Sequence, residues 1–568
     1  MRPDRLSHEG YSLPLLKGEA QRQSQQDIMS VPVIDLFAGP GGLGEGFFQQ
    51  KSARFEIAVS IEKDQMAHET LRLRAAYRAL RRDPAAGEEA WQLWDSIVES
   101  KPWNIVFYML RDSGDEAIRQ ACRRAEHEAL HLELGPKSRK RASSEIRDRL
   151  KAWGTDSEVF SNIVLIGGPL CQAYSIVGRS RNRGKENYRP EADQRHFLYR
   201  EYLHVIAEFM PAVFVMENVK GILTSRVHER EIFQTILRDL RRPGAGEGAS
   251  DKAEYTLVAL CEPASLVVGD PAPDDFIVRA EDHGVPQARH RVIILGIRKD
   301  VFDRIDDMPR LKRTEPPGVL DVIGDLPRLR PALSYRGGDA QWDQALEDPL
   351  FDTAVRQLRM GGNLVRTRVA DRMEEVRVAI RAAQRDPGVG ADRTRRSSAE
   401  CRGPKALADW YFDRASPLLA NHESRAHMPS DLVRYLFVSV YGETLGLSPR
   451  LADFPRCLLP NHKNVDPDRI SQAIFKDRFR VQLGDRHSTT VTSHISKDGH
   501  AFIHPKPKQC RSLTVREAAR LQTFPDSYVF LGNRTAQYTQ VGNAVPPLLA
   551  HQIAGIVAHV LNCASFSK

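Results

Sequence analysis

Cysteine is scarce: seven in 568 residues, an odd number in no paired spacing. That excludes a disulfide-built scaffold and fits a reducing compartment with free thiols. Long apolar runs are missing too. None approaches the ~20 residues of a membrane-spanning helix. Residues 1–30 are polar, lack the apolar centre of a signal peptide and read as a loosely attached arm. There is no collagen-type glycine repeat, no sustained heptad, no internal repeat and no long low-complexity segment. Neither sign of charge dominates, since 82 Lys and Arg face 74 Asp and Glu for a formal net charge of +8. The pI near 9.0 permits a polyanionic partner without requiring one. What is present is 41% hydrophobic and 27% charged residues, enough to bury a sizeable core. The expectation is a soluble, cytoplasmic protein of several domains, with no membrane association and no metal.

The informative pattern begins at Val33-Ile34-Asp35-Leu36-Phe37. This short apolar run ends in Ala38-Gly39-Pro40-Gly41-Gly42-Leu43-Gly44, and the order strand, glycine turn, helix is the natural reading. A second strand, 57–61, is closed by Glu62. From about 64 to 156 the chain turns charged and helical, with apolar spacing at Trp91, Trp94 and Val98 and at Ala117, Ala121 and Ala125. This stretch reads as a helical insertion. Strands return at 163–166, before Gly167-Gly168-Pro169-Leu170-Cys171-Gln172, and at 212–216, before Glu217-Asn218-Val219. A helix is expected over 197–209 between them. A further strand, 292–296, follows Gln287-Ala288-Arg289-His290-Arg291. Short apolar strands alternating with helices predict an α/β fold with a mostly parallel sheet.

Four strands thus end in an unusual group: the glycine turn, Glu62, Cys171 and Glu217. In an open α/β sheet, ligands bind beyond the carboxyl ends of the strands, so parallel strands would bring all four to one edge. The glycines let backbone approach a ligand, and an acid such as Glu62 can bind ribose hydroxyls. The glycines alone do not separate a nicotinamide from another adenosyl cofactor. Cys171 stands in a constrained loop that can present a thiolate. Glu217, at the end of a buried strand, can protonate or hydrogen-bond a ring nitrogen. Arg289 and Arg291, two apart before a strand, suit an anion or a carbonyl oxygen.

The ordered series resembles the bacterial DNA (cytosine-5) methyltransferase family. It runs from Asp35-Leu-Phe-Ala-Gly-Pro-Gly-Gly42 through Glu62, Gly168-Pro-Leu-Cys-Gln172, Glu217-Asn-Val219 and Gln287-x-Arg-x-Arg291. It closes on Arg511-Ser-Leu-Thr-Val-Arg-Glu-Ala-Ala-Arg-Leu-Gln-Thr-Phe-Pro525 and Gln540-Val-Gly-Asn-Ala-Val-Pro-Pro547. The resemblance implies a Rossmann-like sheet binding S-adenosylmethionine over 31–310, with the insertion at about 64–156. It also implies a smaller target-recognition domain over 311–534 and a C-terminal segment, 535–568, that returns to the catalytic domain. It makes Cys171 the nucleophile, Glu217 the acid facing ring nitrogen 3, and Arg289 and Arg291 the holders of a flipped cytosine. It places Phe37, Gly39, Gly41, Gly42, Glu62, Pro169, Leu198 and Asn543 on the cofactor side, with Gln172 and Asn218 as structural neighbours. The implied substrate is double-stranded DNA, and the implied partner is a cognate restriction enzyme or another phage-defence protein. The enzyme would act as a monomer at the nucleoid.

Two departures stand out. Leu170 replaces a second proline before the nucleophile. The stretch between Glu62 and Cys171 is far longer than in compact members, and an acid contacting the adenine ring should lie within it, with Asp156 one candidate. A methyltransferase of the same fold acting on tRNA is the nearest rival, but the long middle third favours DNA. Residues 311–510 hold 32 basic and 25 acidic side chains, most of the chain's excess charge. Within them, 421–425 and 494–500 are polar and read either as DNA contacts or as ordinary surface loop. Residues 388–405 read as a loop. Residues 511–526 read as a helix, with Thr514 as its N-cap and Glu517 as the capping-box partner.

Overall fold

The computed structural model describes residues 30–153, 162–169, 198–227, 230–244, 253–262, 271–334, 342–347, 349–360, 362–383, 386–396, 405–461, 465 and 478–565. The N-terminal arm, Asp156, Cys171 and Gln172 lie outside the described residues.

One eight-stranded sheet organises the first half of the chain. Its strands are Ser30–Leu36 (β1), Arg54–Glu62 (β2), Ala129–His131 (β3), Val164–Gly167 (β4), Val213–Val219 (β5), Tyr255–Val258 (β6), Ile277–Arg279 (β7) and His290–Arg298 (β8). The order across the sheet is β3-β2-β1-β4-β5-β8-β6, with β7 beside β8. Strands β1 to β5 pair in parallel. Strand β8 runs antiparallel to β5, β6 and β7. The chain therefore leaves β1 in one direction and β4 in the other. The crevice between their carboxyl ends is the switch point at which such sheets bind ligands.

The sequence of β1, Ser-Val-Pro-Val-Ile-Asp-Leu, is buried from Val31 onward, as a strand covered on both faces requires. Val31 and Val33 face one layer, and Ile34 and Leu36 face the other. The first layer is built from the helices Gly42–Gln49 (α1) and Pro547–Ser565, whose Leu549, Ile553, Val557 and Leu561 pack on Val33, Ile166 and Val215. Each such side chain contributes about 1.5–3 kcal/mol of burial. The second layer comprises the helices Arg139–Leu150, Leu198–Phe209 and Ile232–Arg241.

The stretch after Glu62 contains the helices Gln65–Arg81 (α2), Glu88–Ser100 (α3), Val106–Arg111 (α4) and Glu116–Glu128 (α5). It also contains β3, which joins the sheet edge beside β2. This part of the predicted insertion therefore belongs to the sheet, and three residues were too few to show a strand period. Farther on, Gly390–Arg395 (β9) pairs antiparallel with Leu418–Glu423 (β10), where the sequence suggested a loop. The partner strand is distant in sequence, so no turn signal announced it. The helix expected over 511–526 is Val515–Leu521 (α6). Its capping box is the predicted one: Thr514 Oγ1 accepts from the Glu517 amide at 3.1 Å, and the Thr514 amide donates to Glu517 Oε2 at 2.7 Å. The left-handed Thr523 (φ 62°) and the following Phe524-Pro525 end it early. The helix Arg534–Asn543 (α7) follows, and Pro547–Ser565 (α8) begins on a proline that suits a first turn.

Candidate active site

At the carboxyl end of β1 the backbone turns left-handed at Phe37 (φ 56°), Gly39 (φ 57°) and Gly41 (φ 95°). Glycine accepts this at little cost. Gly42 is fixed by space: a Cβ there would lie 2.3 Å from the carbonyl oxygen of Val545. The closing segment 542–547 therefore packs directly on the glycine loop. The Tyr528 hydroxyl donates to Pro40 O on the same loop.

Glu62 ends β2 and turns back onto the loop. Its Oε2 accepts from the Gly39 amide at 2.8 Å. Its Oε1 accepts from the Lys63 and Asp64 amides at 2.9 and 2.7 Å. Burial raises the pKa of this carboxyl, and the three amides oppose the rise. A small cleft, open at its mouth, lies beside it, lined by Phe37, Ile61, Glu62, Lys63, Leu132, Leu134 and Leu198. Phe37, Glu62 and Leu198, far apart in sequence, thus meet in one cavity. Leu132 and Leu134 were missed; they arrive through the edge strand β3, which the sequence did not show.

Three strands along from β2, Glu217 and Arg291 form an ion pair at 2.8 Å. Their strands explain it. Because β8 is antiparallel, its first residues lie where β5 ends, and Arg291 is opposite Val219. Burial pulls the Arg291 pKa down, and Glu217 pushes it back up. Asn218, next to Glu217, is buried. Its Nδ2 donates to Pro169 O at 3.2 Å, and its Oδ1 accepts from the Val219 amide at 2.9 Å. A Cβ on Gly168 would lie 3.0 Å from Glu217 Oε2. The Gly168-Pro169 turn is therefore held against the acid, two residues before Cys171.

The two arginines are not equivalent. Arg289 is only 1% exposed, and its Nη1 donates to Val491 O and Gly542 O at 3.0 and 3.2 Å. Burial depresses its pKa strongly, with Arg291 adding to the effect. The structure thus uses Arg289 to tie the start of β8 to two distant segments. Arg291 alone reaches the acid. Gln287 does a similar job that the sequence did not single out. Its Nε2 donates to Leu521 O and Gln522 Oε1 at 3.2 and 2.9 Å, and its Oε1 accepts from the Val491 amide at 2.6 Å. Asn543 is exposed at the end of α7, beside the Gly542 carbonyl that Arg289 holds.

The polar segment 421–425 is not a surface loop. Asn421, His422, Ser424 and Arg425 are buried. Asn421 is left-handed (φ 60°) and donates to Phe530 O and Asp392 Oδ1, both at 3.0 Å. His422 bridges Thr514 Oγ1 and Pro327 O at 3.1 and 2.9 Å. These side chains cross-link the fold, so their polarity pointed inward. In 494–500, by contrast, His494 and Lys497 are exposed.

A family model described as "C-5 cytosine-specific DNA methylase" matches residues 139–244, 275–405 and 430–559. The chain belongs to that family. It is a DNA (cytosine-5-)-methyltransferase. Among curated relatives, a "Type II methyltransferase M.Bpa9945I" of Bacillus paralicheniformis is 32% identical over 545 residues, covering 93% of this chain and 99% of the relative. A "Type II methyltransferase M.AgeI" of Thalassovita gelatinovora is 27% identical, covering 69% and 81%. A "DNA (cytosine-5-)-methyltransferase M.ApeKI" of Aeropyrum pernix is 25% identical, covering 70% and 81%.

Proposed function

We propose that this methyltransferase modifies carbon 5 of a cytosine within one specific double-stranded DNA sequence, using S-adenosylmethionine, base flipping and a transient covalent bond to Cys171. The observation that carries the reading is the single sheet edge that joins three things: the cleft beside Glu62, the Glu217–Arg291 pair, and the Pro169 turn that leads to Cys171.

The lining of the cleft suits an adenosyl group. Its walls, Phe37, Ile61, Leu132, Leu134 and Leu198, are apolar enough for a purine, and Glu62 offers a carboxylate for ribose hydroxyls. Bound there, S-adenosylmethionine supplies an electrophilic methyl group. The glycine loop would let backbone approach its polar end, and Gly39, Gly41, Gly42, Pro169 and Asn543 are the residues that would hold it. In the reaction, the Cys171 thiolate adds to carbon 6 of the cytosine. Glu217, as the acid, donates a hydrogen bond or its proton to nitrogen 3 and so offsets the negative charge that the addition places on the ring. The ring becomes an enamine whose carbon 5 is nucleophilic. Carbon 5 takes the methyl group as the sulfonium carbon–sulfur bond breaks and leaves a neutral thioether; a base such as water then takes the carbon 5 proton, the double bond reforms and the Cys171 thiolate is expelled. Arg291 orients Glu217 and faces the base carbonyl. A base inside a stacked duplex cannot be attacked this way, so the cytosine is flipped out, at roughly a few kcal/mol.

Residues 311–534 act as the recognition domain in this reading, and the type II names of the relatives favour a companion restriction enzyme. The enzyme acts as a monomer. The test is methyl transfer to DNA, mapped by bisulfite sequencing, with DNA containing 5-fluorocytosine used to trap the adduct. Cys171→Ser should abolish both turnover and trapping and leave cofactor affinity within a few-fold. Near-normal turnover by that variant would overturn the covalent step. Exchanging 311–510 for the matching segment of a relative with a different site should move the methylated sequence. An active hybrid that keeps the original site would place recognition elsewhere.

A further inference from the structure

The helices after Glu62 contribute no side chain to the chemistry, yet they lie between the cleft and the β9–β10 hairpin. Helix α2 starts at the cleft: the Asp64 amide donates to Glu62 Oε1, and the Asp64 side chain caps the helix by accepting from the Ala67 amide at 2.9 Å. At its other end α2 grips the segment before β10. The Tyr77 hydroxyl donates to Asp413 Oδ2, and Arg81 Nε lies 3.5 Å from the same oxygen. Helix α3 grips β9 and the residues that lead into β10. Asp95 Oδ1 accepts from Ser416 Oγ at 2.6 Å. Arg393, buried in β9, sends Nη1 to Val98 O and Lys101 O, at 2.6 and 2.7 Å. These carbonyls end α3, where the helix leaves acceptors unsatisfied and its dipole favours a cation. Glu99 pairs with Arg395 at 3.1 Å. Beneath these bonds, Trp91, Trp94 and Val98 share one apolar cluster with Leu418 and Ala420.

Tyr77, Asp95, Ser416 and Arg393 are buried, so each must be satisfied by its partner across the contact or lose stability. A contact made of directional bonds to backbone carbonyls specifies position more sharply than apolar packing alone. We propose that α2 and α3 are a buttress that sets the β9–β10 hairpin, and with it the DNA-reading segment, at a fixed offset from the cofactor cleft, with Arg393 as the principal positioning residue. The proposal rests on the reading of 311–510 as the part that reads DNA.

The experiment uses the full chain and its preferred DNA substrate. Arg393→Met removes both carbonyl contacts while keeping bulk. It should raise the KM for DNA about tenfold, and leave kcat at saturating DNA and the affinity for S-adenosylmethionine within about twofold. Arg393→Lys, which can still donate to both carbonyls, should recover most of the loss. Should Arg393→Met not fold, Tyr77→Phe keeps the ring, removes the hydroxyl's bonds to Asp413 and from Ser527 Oγ, and should raise the same KM about threefold. The buttress is overturned if folded Arg393→Met or Tyr77→Phe leaves the KM for DNA unchanged. It is equally overturned if KM, kcat and cofactor affinity worsen together. Failure of the underlying reading shows elsewhere, as an active 311–510 hybrid that still methylates the original site.

Discussion

Asn218 is held by hydrogen bonds that include one to Pro169 O and one from the Val219 amide, and the first ties the strand end to the segment that leads toward Cys171 in the sequence. It touches no reacting atom in the proposed chemistry, so its removal separates placement from binding. Asn218→Ala should lower kcat about ten- to a hundredfold, since small displacements of a nucleophile are costly. The affinity for S-adenosylmethionine should stay within about twofold by calorimetry; an unchanged kcat would show that the Pro169 turn holds itself. Glu62 makes the opposite case. Glu62→Ala removes the acceptor proposed for the ribose, and hydrogen bonds to charged groups are worth ~1.5–3 kcal/mol. Cofactor binding should weaken about ten- to a hundredfold, with kcat at saturation much less affected. Tight binding of NAD in place of S-adenosylmethionine would reject the assignment. At this scale the sequence was readable wherever a residue closed a strand, because the strand's own apolar run marked the place. Glu62 and Glu217 were visible for that reason. Gln287, Leu132 and Leu134 were not, since their roles depend on what a distant segment brings beside them. Arg289 looked like a twin of Arg291 at period two, and only the closing segments 491 and 542 show that it points elsewhere.

Short elements were legible by their chemistry or not at all. Helix α6 has seven residues, fewer than an isolated helix needs, yet Thr514 and Glu517 announced its first turn. Its end was misjudged because the left-handed Thr523 is imposed by packing and has no glycine to mark it. The same Glu517 accepts a two-pronged bond from Arg511, both arms at 2.7 Å, and both side chains are buried. Burial favours the neutral acid, but Arg511 more than compensates and holds Glu517 well below the usual carboxylate range. Removing one partner of such a pair leaves the other charge buried and alone, at about 3–5 kcal/mol. Glu517→Gln should therefore destabilise the protein by roughly that amount in urea, whereas Thr514→Ala should cost about 1–2 kcal/mol. A Glu517→Gln loss below about 1 kcal/mol would mean that Arg511 finds water or another acceptor. Strands β3, β9 and β10 show the limit of sequence reading from the other side. Three residues carry no period. The polar hairpin Gly-Ala-Asp-Arg-Thr-Arg against Leu-Leu-Ala-Asn-His-Glu reads as loop because its polar groups are satisfied by other elements, α3 among them.

Buried titratable groups on opposite sides of the molecule give it a stability maximum. His422 is pushed down to about 4 and His504 to about 3, burial being the first cause in both. Their unfolded pKa is about 6.5, so folding forbids a proton they would otherwise take. Their contribution is complete above pH 6.5 and is lost as pH falls toward 4, each residue costing about 1.4 kcal/mol per pH unit in that range. Asp35 behaves oppositely. It lies in β1 under the glycine loop with no well-aligned hydrogen bond to either oxygen, and a Cβ on Gly44 would lie 3.0 Å from Oδ2. Burial raises its pKa to about 8; Arg78 draws it down, Glu128 and Glu62 push it up, and the Gly44 amide opposes least. A raised folded pKa means stability that is whole below the unfolded value, about 3.9, and is lost as pH rises toward 8. Below pH 6.5 His422 and His504, with His427, which burial also pushes well down, outweigh Asp35 and Asp95, whose pKa burial raises to about 6, so stability climbs with pH. Above 6.5 the histidines are spent and Asp35 sets the downward slope, removing about 2 kcal/mol between pH 6.5 and 8. Unfolding free energy should therefore peak near pH 6.5. Asp35→Asn keeps the shape and removes the titration, so its curve should climb to pH 6.5 and then stay level. If wild type and Asp35→Asn fall in parallel between pH 6.5 and 8, measured by urea unfolding at fixed ionic strength, the buried acid is not the group that titrates.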